Sequence, residues 1–243
     1  MYKSTYLLAG IPVSIASVYK KVHVMCKAYA TDLPPVVHVA TTAEEIDAEG
    51  EKSDEERRRE GLHEHHFGRS YLETLCVYRK IALAMLERGV LLMHGSVVAV
   101  DGEAYLFTAL SGTGKSTHVR LWRELFGRRA VMVNDDKPLV CVTGGRAVVY
   151  GTPWDGKHHL SSNVSVPLKA IVYLQRGEEN RISQVAAGAL FPVLVQQTFR
   201  TPDASVTARV MALLAQLAGK VGLYSLHCNM QPEAAKVAYD GMQ

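Results

Sequence analysis

Apolar and polar positions alternate in short runs at residues 6–9, 13–18, 22–29 and 36–40, separated by Gly10-Ile11-Pro12 and by the Pro34-Pro35 pair. Period-two runs bounded by turn residues predict strands, so residues 5–40 are expected to form a small meander or an edge addition to a larger sheet. The period then changes. Residues 70–88 contain no Gly or Pro, and Leu72, Leu75, Cys76, Arg79, Leu83 and Leu86 recur at helical intervals. A helix is predicted there, with Ser70 and Glu73 at capping-box spacing and Gly89 as its C-cap. Two β-rich runs at 91–100 and 103–107, joined by Asp101-Gly102, predict a hairpin, and Thr143-Gly144-Gly145 predicts a second hairpin turn. Further strands are expected at 130–133, 139–142, 147–150, 168–174 and 221–226, and helices at 116–125, 186–199, 204–218 and 232–239. The mixture of periods predicts an α/β fold with a mixed sheet: a core at 70–243, with residues 1–69 as a small β-rich N-terminal extension packed on it.

One segment departs from both periods. Residues 44–60 carry 9 acidic and 4 basic side chains in 17 positions, with Ile46 as the one large apolar residue, and are expected to be an exposed helix or a mobile loop. The whole chain of 243 residues has a net charge of +3; the segment holds −5 of it, so the other 226 residues carry +8. A basic body suited to polyphosphate is therefore masked by an acidic strip, which would serve as a solvated face, a flexible cover or a docking surface for a basic partner. The near-neutral total argues against nucleic acid as a partner.

His63-Glu64-His65-His66 lacks helical i, i+4 spacing and reads as a solvated polar turn rather than a metal site. Cys26, Cys76, Cys141 and Cys228 form no C-x-x-C pair and read as buried free thiols. No stretch approaches the roughly 18 uncharged apolar residues of a membrane span, and Pro12 interrupts the apolar run at 6–18, which argues against a signal peptide. A soluble, cytoplasmic protein with no membrane partner is expected.

The chemistry is concentrated in Ala109-Leu110-Ser111-Gly112-Thr113-Gly114-Lys115-Ser116-Thr117, between a predicted strand and a predicted helix. This is the phosphate-binding pattern G-x-x-x-x-G-K-[ST] with Ala109 in place of the first glycine. Glycines let successive amides turn inward as an anion nest at the positive end of the helix; Lys115 can reach the β and γ phosphates and Ser116 can hold Mg²⁺. About twenty residues on, the apolar strand at 130–133 delivers Asn134-Asp135-Asp136-Lys137. Two adjacent carboxylates can divide the work, one organising the metal and one taking the proton of an attacking hydroxyl. On residue type alone, His94 reads as a hydrogen-bonded structural residue, Lys157 as a polar-turn lysine within reach of a phosphate, and Arg200 as a solvated helix-end charge; Trp154 fits a pocket wall or the core equally.

His94-Gly95, the loop Ser111–Thr117 and the Asp135-Asp136 pair occur in the order and spacing of the HPr kinase/phosphorylase and phosphoenolpyruvate carboxykinase superfamily. The chain resembles that family over about residues 91–174, and more loosely its small kinase-like members, the free-serine and lasso-peptide kinases, through residue 243. The resemblance implies a mixed-sheet P-loop kinase core using ATP and Mg²⁺. It implies Asp135 as general base with His94 as its hydrogen-bonded partner, and Lys115 as the phosphate clamp. Ser116 and Asp136 would organise the metal, and Ser111, Gly112, Thr113, Gly114, Thr117 and Lys157 would join Lys115 and Ser116 in binding nucleotide. The two carboxylates are interchangeable at this level. No oxaloacetate-binding arginine cluster and no HPr-binding signature is found, so the expected acceptor is a hydroxyl-bearing small molecule or peptide; homo-oligomers are common in the family. The alternative is a nucleotide-dependent regulatory module without phosphotransfer.

Overall fold

The computed structural model describes residues 1–59, 67–156 and 158–243, so the histidines of 63–66 and Lys157 lie outside the described residues. The chain forms two compact units, Met1–Ala84 and Met85–Gln243.

The first unit begins with the hairpin β1 (Tyr2–Leu8) and β2 (Ile11–Ser17), paired antiparallel through Leu8 and Ile11 across Ala9-Gly10, both with positive φ (49° and 74°). The next run departs from expectation. Residues 21–29 are not a strand but a short helix α1 (Lys21–Met25) continued as a 3-10 turn (Cys26–Tyr29). The alternation Val22, Val24, Cys26 misleads because only Val22, Cys26 and Tyr29, three to four residues apart, are buried, while Val24 is 62% exposed. β3 (Val37–Ala40) returns parallel to β2, followed by α2 (Ala43–Arg59) and α3 (Arg69–Leu86), whose last two residues belong to the second unit.

The acidic segment is thus a helix, and it is not simply solvated. Ile46 and Glu49 are buried, and Asp47, Glu49 and Glu45 pair with Arg69, Arg79 and Lys80 of α3. Glu73 does not close a capping box at the start of α3. It is fully buried, its carboxylate accepting the Val18 N–H (2.6 Å), the Tyr19 N–H (2.8 Å) and the Thr41 hydroxyl (2.6 Å), while the first amides of α3 reach Gly68.

The second unit is a mixed sheet with helices on both faces. Its elements are β4 (Val90–Leu92), β5 (Ser96–Val100), β6 (Glu103–Thr108), α4 (Lys115–Phe126), β7 (Ala130–Asn134), β8 (Leu139–Cys141), β9 (Val148–Tyr150), β10 (Ser165–Arg176), β11 (Arg181–Gln184), α5 (Ala187–Gln196), α6 (Ala204–Ala218), β12 (Gly222–Cys228) and α7 (Glu233–Asp240). The long β10 joins two arrays. At Ser165–Pro167 it pairs antiparallel with β9, which continues through β8 to β4; from Leu168 onward it runs parallel to β6 on one side and β12 on the other. β5 lies antiparallel between β6 and β7, and β11 closes the far edge on β12.

Alternate residues of the central strands feed two cores. Val97, Ala99, Leu106, Ile171 and Leu223 pack under Leu190 and Leu194 of α5 and Leu213, Leu214 and Leu217 of α6. Val98, Val100, Tyr105, Phe107, Val172 and Leu226 pack under Val119, Leu121 and Trp122 of α4 and Ala234, Ala235 and Ala238 of α7. A sheet covered on both faces reads as nearly continuous apolar runs, which is why these strands stand out in the sequence.

The predicted hairpin at Asp101-Gly102 forms, both residues having positive φ (53° and 83°). The run at 91–100, however, is two strands in different arrays, broken at His94-Gly95. A Cβ on Gly95 would lie 2.9 Å from the Phe107 carbonyl oxygen, so this close crossing of β6 admits only glycine.

Candidate functional site

β6 is antiparallel to β5, and β5 to β7, so the C-terminal ends of β6 and β7 and the entry to β5 share one edge of the sheet. The phosphate loop leaves β6, Asp135-Asp136 leave β7, and His94 enters β5 there. His94, Ser111, Gly112, Gly114, Lys115, Ser116, Thr117, Asp135, Asp136 and Gly156 line one cavity of about 570 Å³. Thr113 lies in the same loop but lines a neighbouring recess with Thr117.

The loop has the backbone its glycines predict: φ is +75° at Gly112 and +119° at Gly114, and α4 starts at Lys115. Ala109, at the position of the missing first glycine, is fully buried without a positive φ, so an alanine methyl is accommodated. The Lys115 ammonium donates to the Ala109 carbonyl (3.2 Å). Burial pulls its pKa down, opposed by the nearby Asp136 carboxylate.

Asn134 determines how the carboxylates are presented. Fully buried, it donates from Nδ2 to the Thr152 carbonyl and hydroxyl (both 3.1 Å), and its Oδ1 accepts the N–H groups of Asp136 (2.9 Å) and Lys137 (2.7 Å). This Asx turn ends β7 and turns the next two side chains in different directions. Asp135 is buried and accepts the Gly156 N–H at 2.5 Å. Burial raises its pKa; the Gly156 hydrogen bond opposes the rise, and the Asp155 and Asp136 carboxylates add to it. Asp136 is half-buried, with Oδ2 accepting from the Lys137 ammonium (2.7 Å) and Oδ1 3.5 Å from His94 Nε2. Burial, and then the charge of Lys115, lower the His94 pKa, favouring a neutral imidazole.

The expected pairing of His94 with Asp135 is therefore replaced by one of His94 with Asp136. The reason is the Asx turn, which reserves Asp135 for Gly156. Among the described residues no group of three or more His, Cys, Asp or Glu side chains comes together as a metal site. Ser116 and Asp136 nonetheless offer hard oxygens on one cavity, the donor set Mg²⁺ accepts when substrate phosphates and water complete its shell.

Several supporting residues carried no motif signal. The Ser96 hydroxyl donates to the Asp135 carbonyl (3.1 Å), the Gly95 N–H to the Asp136 carbonyl (3.0 Å) and the Thr108 hydroxyl to the His94 carbonyl (2.9 Å). Arg176, at the end of β10, donates to the Gly112 carbonyl (2.7 Å) and braces the loop. The one sequence cue to this arrangement is Asn134, immediately before the carboxylates. Two other candidates take structural places: Arg200 donates to the Val195 carbonyl at the end of α5 (2.6 Å), and Trp154 is buried.

No protein-family model matches the chain, and no curated protein matches its sequence. Among solved structures the chain is similar to the Hpr(Ser) kinase/phosphatase from Coxiella burnetii, at 11% identity and a TM-score of 0.27, over 51% of this chain and 88% of that one. An overlap of that size carries no weight on activity. The fold is mixed α/β with a mixed sheet, and no helix among the described residues is long and apolar enough to cross a membrane.

Proposed function

We propose that the chain is an ATP- and Mg²⁺-dependent kinase transferring the γ-phosphoryl group to a hydroxyl of a small metabolite or peptide. The observation that carries this reading is the meeting of the phosphate loop with two carboxylates of unlike environment, Asp135 and Asp136, on one cavity. A nucleotide sensor needs the loop and one metal carboxylate; a second, buried carboxylate is what an acceptor hydroxyl requires. Free cysteines, three of them buried, suit a reducing, cytoplasmic setting.

In this mechanism the loop amides and Lys115 hold the β and γ phosphates, Lys115 exchanging its Ala109 carbonyl for phosphate oxygen. Ser116 and Asp136 would hold Mg²⁺, which when bound neutralises phosphate charge. His94, beside Asp136, would help to orient that carboxylate. Asp135, made more basic by burial, accepts the hydroxyl proton as the acceptor oxygen bonds to the γ phosphorus and the bond to the β–γ bridging oxygen breaks, releasing ADP. Catalysis comes mainly from positioning and charge compensation.

Lys115→Ala is expected to abolish Mg²⁺–ATP binding, and Asp135→Asn to keep binding while lowering transfer at least a hundredfold, within the range general-base removal costs. Calorimetric ATP titration and ³¹P detection of product over an acceptor panel check this. An Asp135→Asn variant as fast as the parent refutes the base assignment, and ATP binding without transfer to any acceptor supports the regulatory module instead.

A further inference from the structure

Two recesses flank the central cavity, and they differ in chemistry. One, of about 490 Å³, is lined by Gly112, Thr113, Thr117, Leu174, Arg176 and Met230 and contains neither carboxylate. The other, of about 480 Å³, is lined by Val119, Arg120, Arg123, Met132, Asp135 and Leu160, together with Ser116, Thr117 and His158. Asp135 forms part of the wall of both this second recess and the central cavity. In a kinase the base stands at the acceptor and the nucleoside leaves from the opposite end of the triphosphate. The recess without a carboxylate is then the nucleoside's, and the one holding Asp135 is the acceptor's.

We infer that this second recess binds a small hydroxyl compound that also carries an anionic group, a carboxylate or a phosphate; the inference rests on the kinase reading above. Arg120 and Arg123 stand three residues apart on one side of α4 and both line this recess, where the only acid among the described residues is Asp135. An uncharged polyol would answer neither cation, leaving Arg120 with its helix neighbour Glu124. Arg120 also meets Glu124 at 2.8 Å, but both side chains are more than half exposed, and such a pair contributes little and yields readily to a bound anion. Guanidinium groups suit carboxylate and phosphate because their planar donors bind two oxygens at once. Val119, Met132 and Leu160 supply an apolar wall for the carbon skeleton, and the volume lies within the range of small-molecule sites.

Glycerol, glycerate and glycerol 3-phosphate share a hydroxyl and differ in the anion, so their binding to the full chain, titrated calorimetrically, separates the alternatives. Glycerate or glycerol 3-phosphate is expected to bind and glycerol not, and whichever binds identifies carboxylate or phosphate as the preferred group. Replacing both arginines (Arg120→Gln with Arg123→Gln) should weaken that binding roughly ten- to a hundredfold, the loss expected for charge-assisted hydrogen bonds. Lys115→Ala should leave it in place. Anion binding lost in Lys115→Ala but kept in the arginine variant would assign it to the phosphate loop and overturn the proposal, as would glycerol binding equally well or neither anion binding. ATP is titrated against the parent chain in parallel. Absence of ATP binding sinks the kinase reading itself, whereas ATP binding without anion binding sinks only the acceptor assignment.

Discussion

Gly156 has no room for a side chain on its Asp135 side: a Cβ there would lie 2.9 Å from Asp135 Oδ2 and 3.2 Å from Oδ1. Its amide hydrogen bond holds the same carboxylate. Gly156→Ala is therefore expected to displace the proposed base, lowering phosphoryl transfer at least tenfold while ATP affinity stays within about threefold, since a misplaced reacting group costs rate more than binding. Parallel measurement of product formation and ATP titration checks it, and unchanged transfer would show that Asp135 tolerates displacement. At this scale the sequence is explicit about residue type. A loop of glycines ending in Lys115-Ser116 and a strand ending in Asp135-Asp136 can be read directly. It is silent on which carboxylate faces which partner, because that depends on Asn134 bonding simultaneously to Thr152 and to the amides after it.

Among the elements, α4 follows the loop and is anchored by a buried histidine. His118 is 2% exposed, its Nε2 accepts the Trp122 indole N–H (3.0 Å), and burial lowers its pKa to about 4. The unfolded chain takes up this proton near pH 6.5, the folded chain only near 4, so the folded state binds fewer protons between them. Stability is present in full above pH 6.5 and falls with pH through that window, by about 3 kcal/mol at its lower end. Urea unfolding of His118→Gln is expected to lose about 2–3 kcal/mol less than the parent between pH 7 and pH 4.5; equal losses would mean another group governs the acid limb. In the first unit, α3 is tied by Glu73 to the ends of β2 and β3. Glu73→Ala strands two backbone amides and a buried hydroxyl, and is expected to cost about 3 kcal/mol in urea unfolding. A loss below about 1 kcal/mol would show that water replaces the carboxylate.

At the level of the whole chain, any ligand held only by the folded state raises its stability. Mg²⁺–ATP at a hundred times its dissociation constant is expected to add about 2.7 kcal/mol to unfolding, seen as a raised melting temperature. Lys115→Ala should abolish that rise, and a rise surviving in the variant would place nucleotide elsewhere.

The elements of the second unit were largely legible because a sheet covered on both faces writes itself as long apolar runs, and because the helices covering it keep a clear 3.6-residue period. The run at 22–29 is not legible as a helix because β-branched residues at alternate positions suit a strand, while burial of Val22, Cys26 and Tyr29 on one side favours a helix. By itself the sequence determined the chemistry available: a phosphate loop, two carboxylates, a histidine and a charge-dense helix. Only the tertiary structure decided their partners, joining His94 to Asp136, Asp135 to Gly156 and the acidic α2 to the basic side of α3. Local propensity depends on neighbours along the chain, whereas these pairings depend on which strand ends meet at one sheet edge and on which charged groups lose water when apolar faces close.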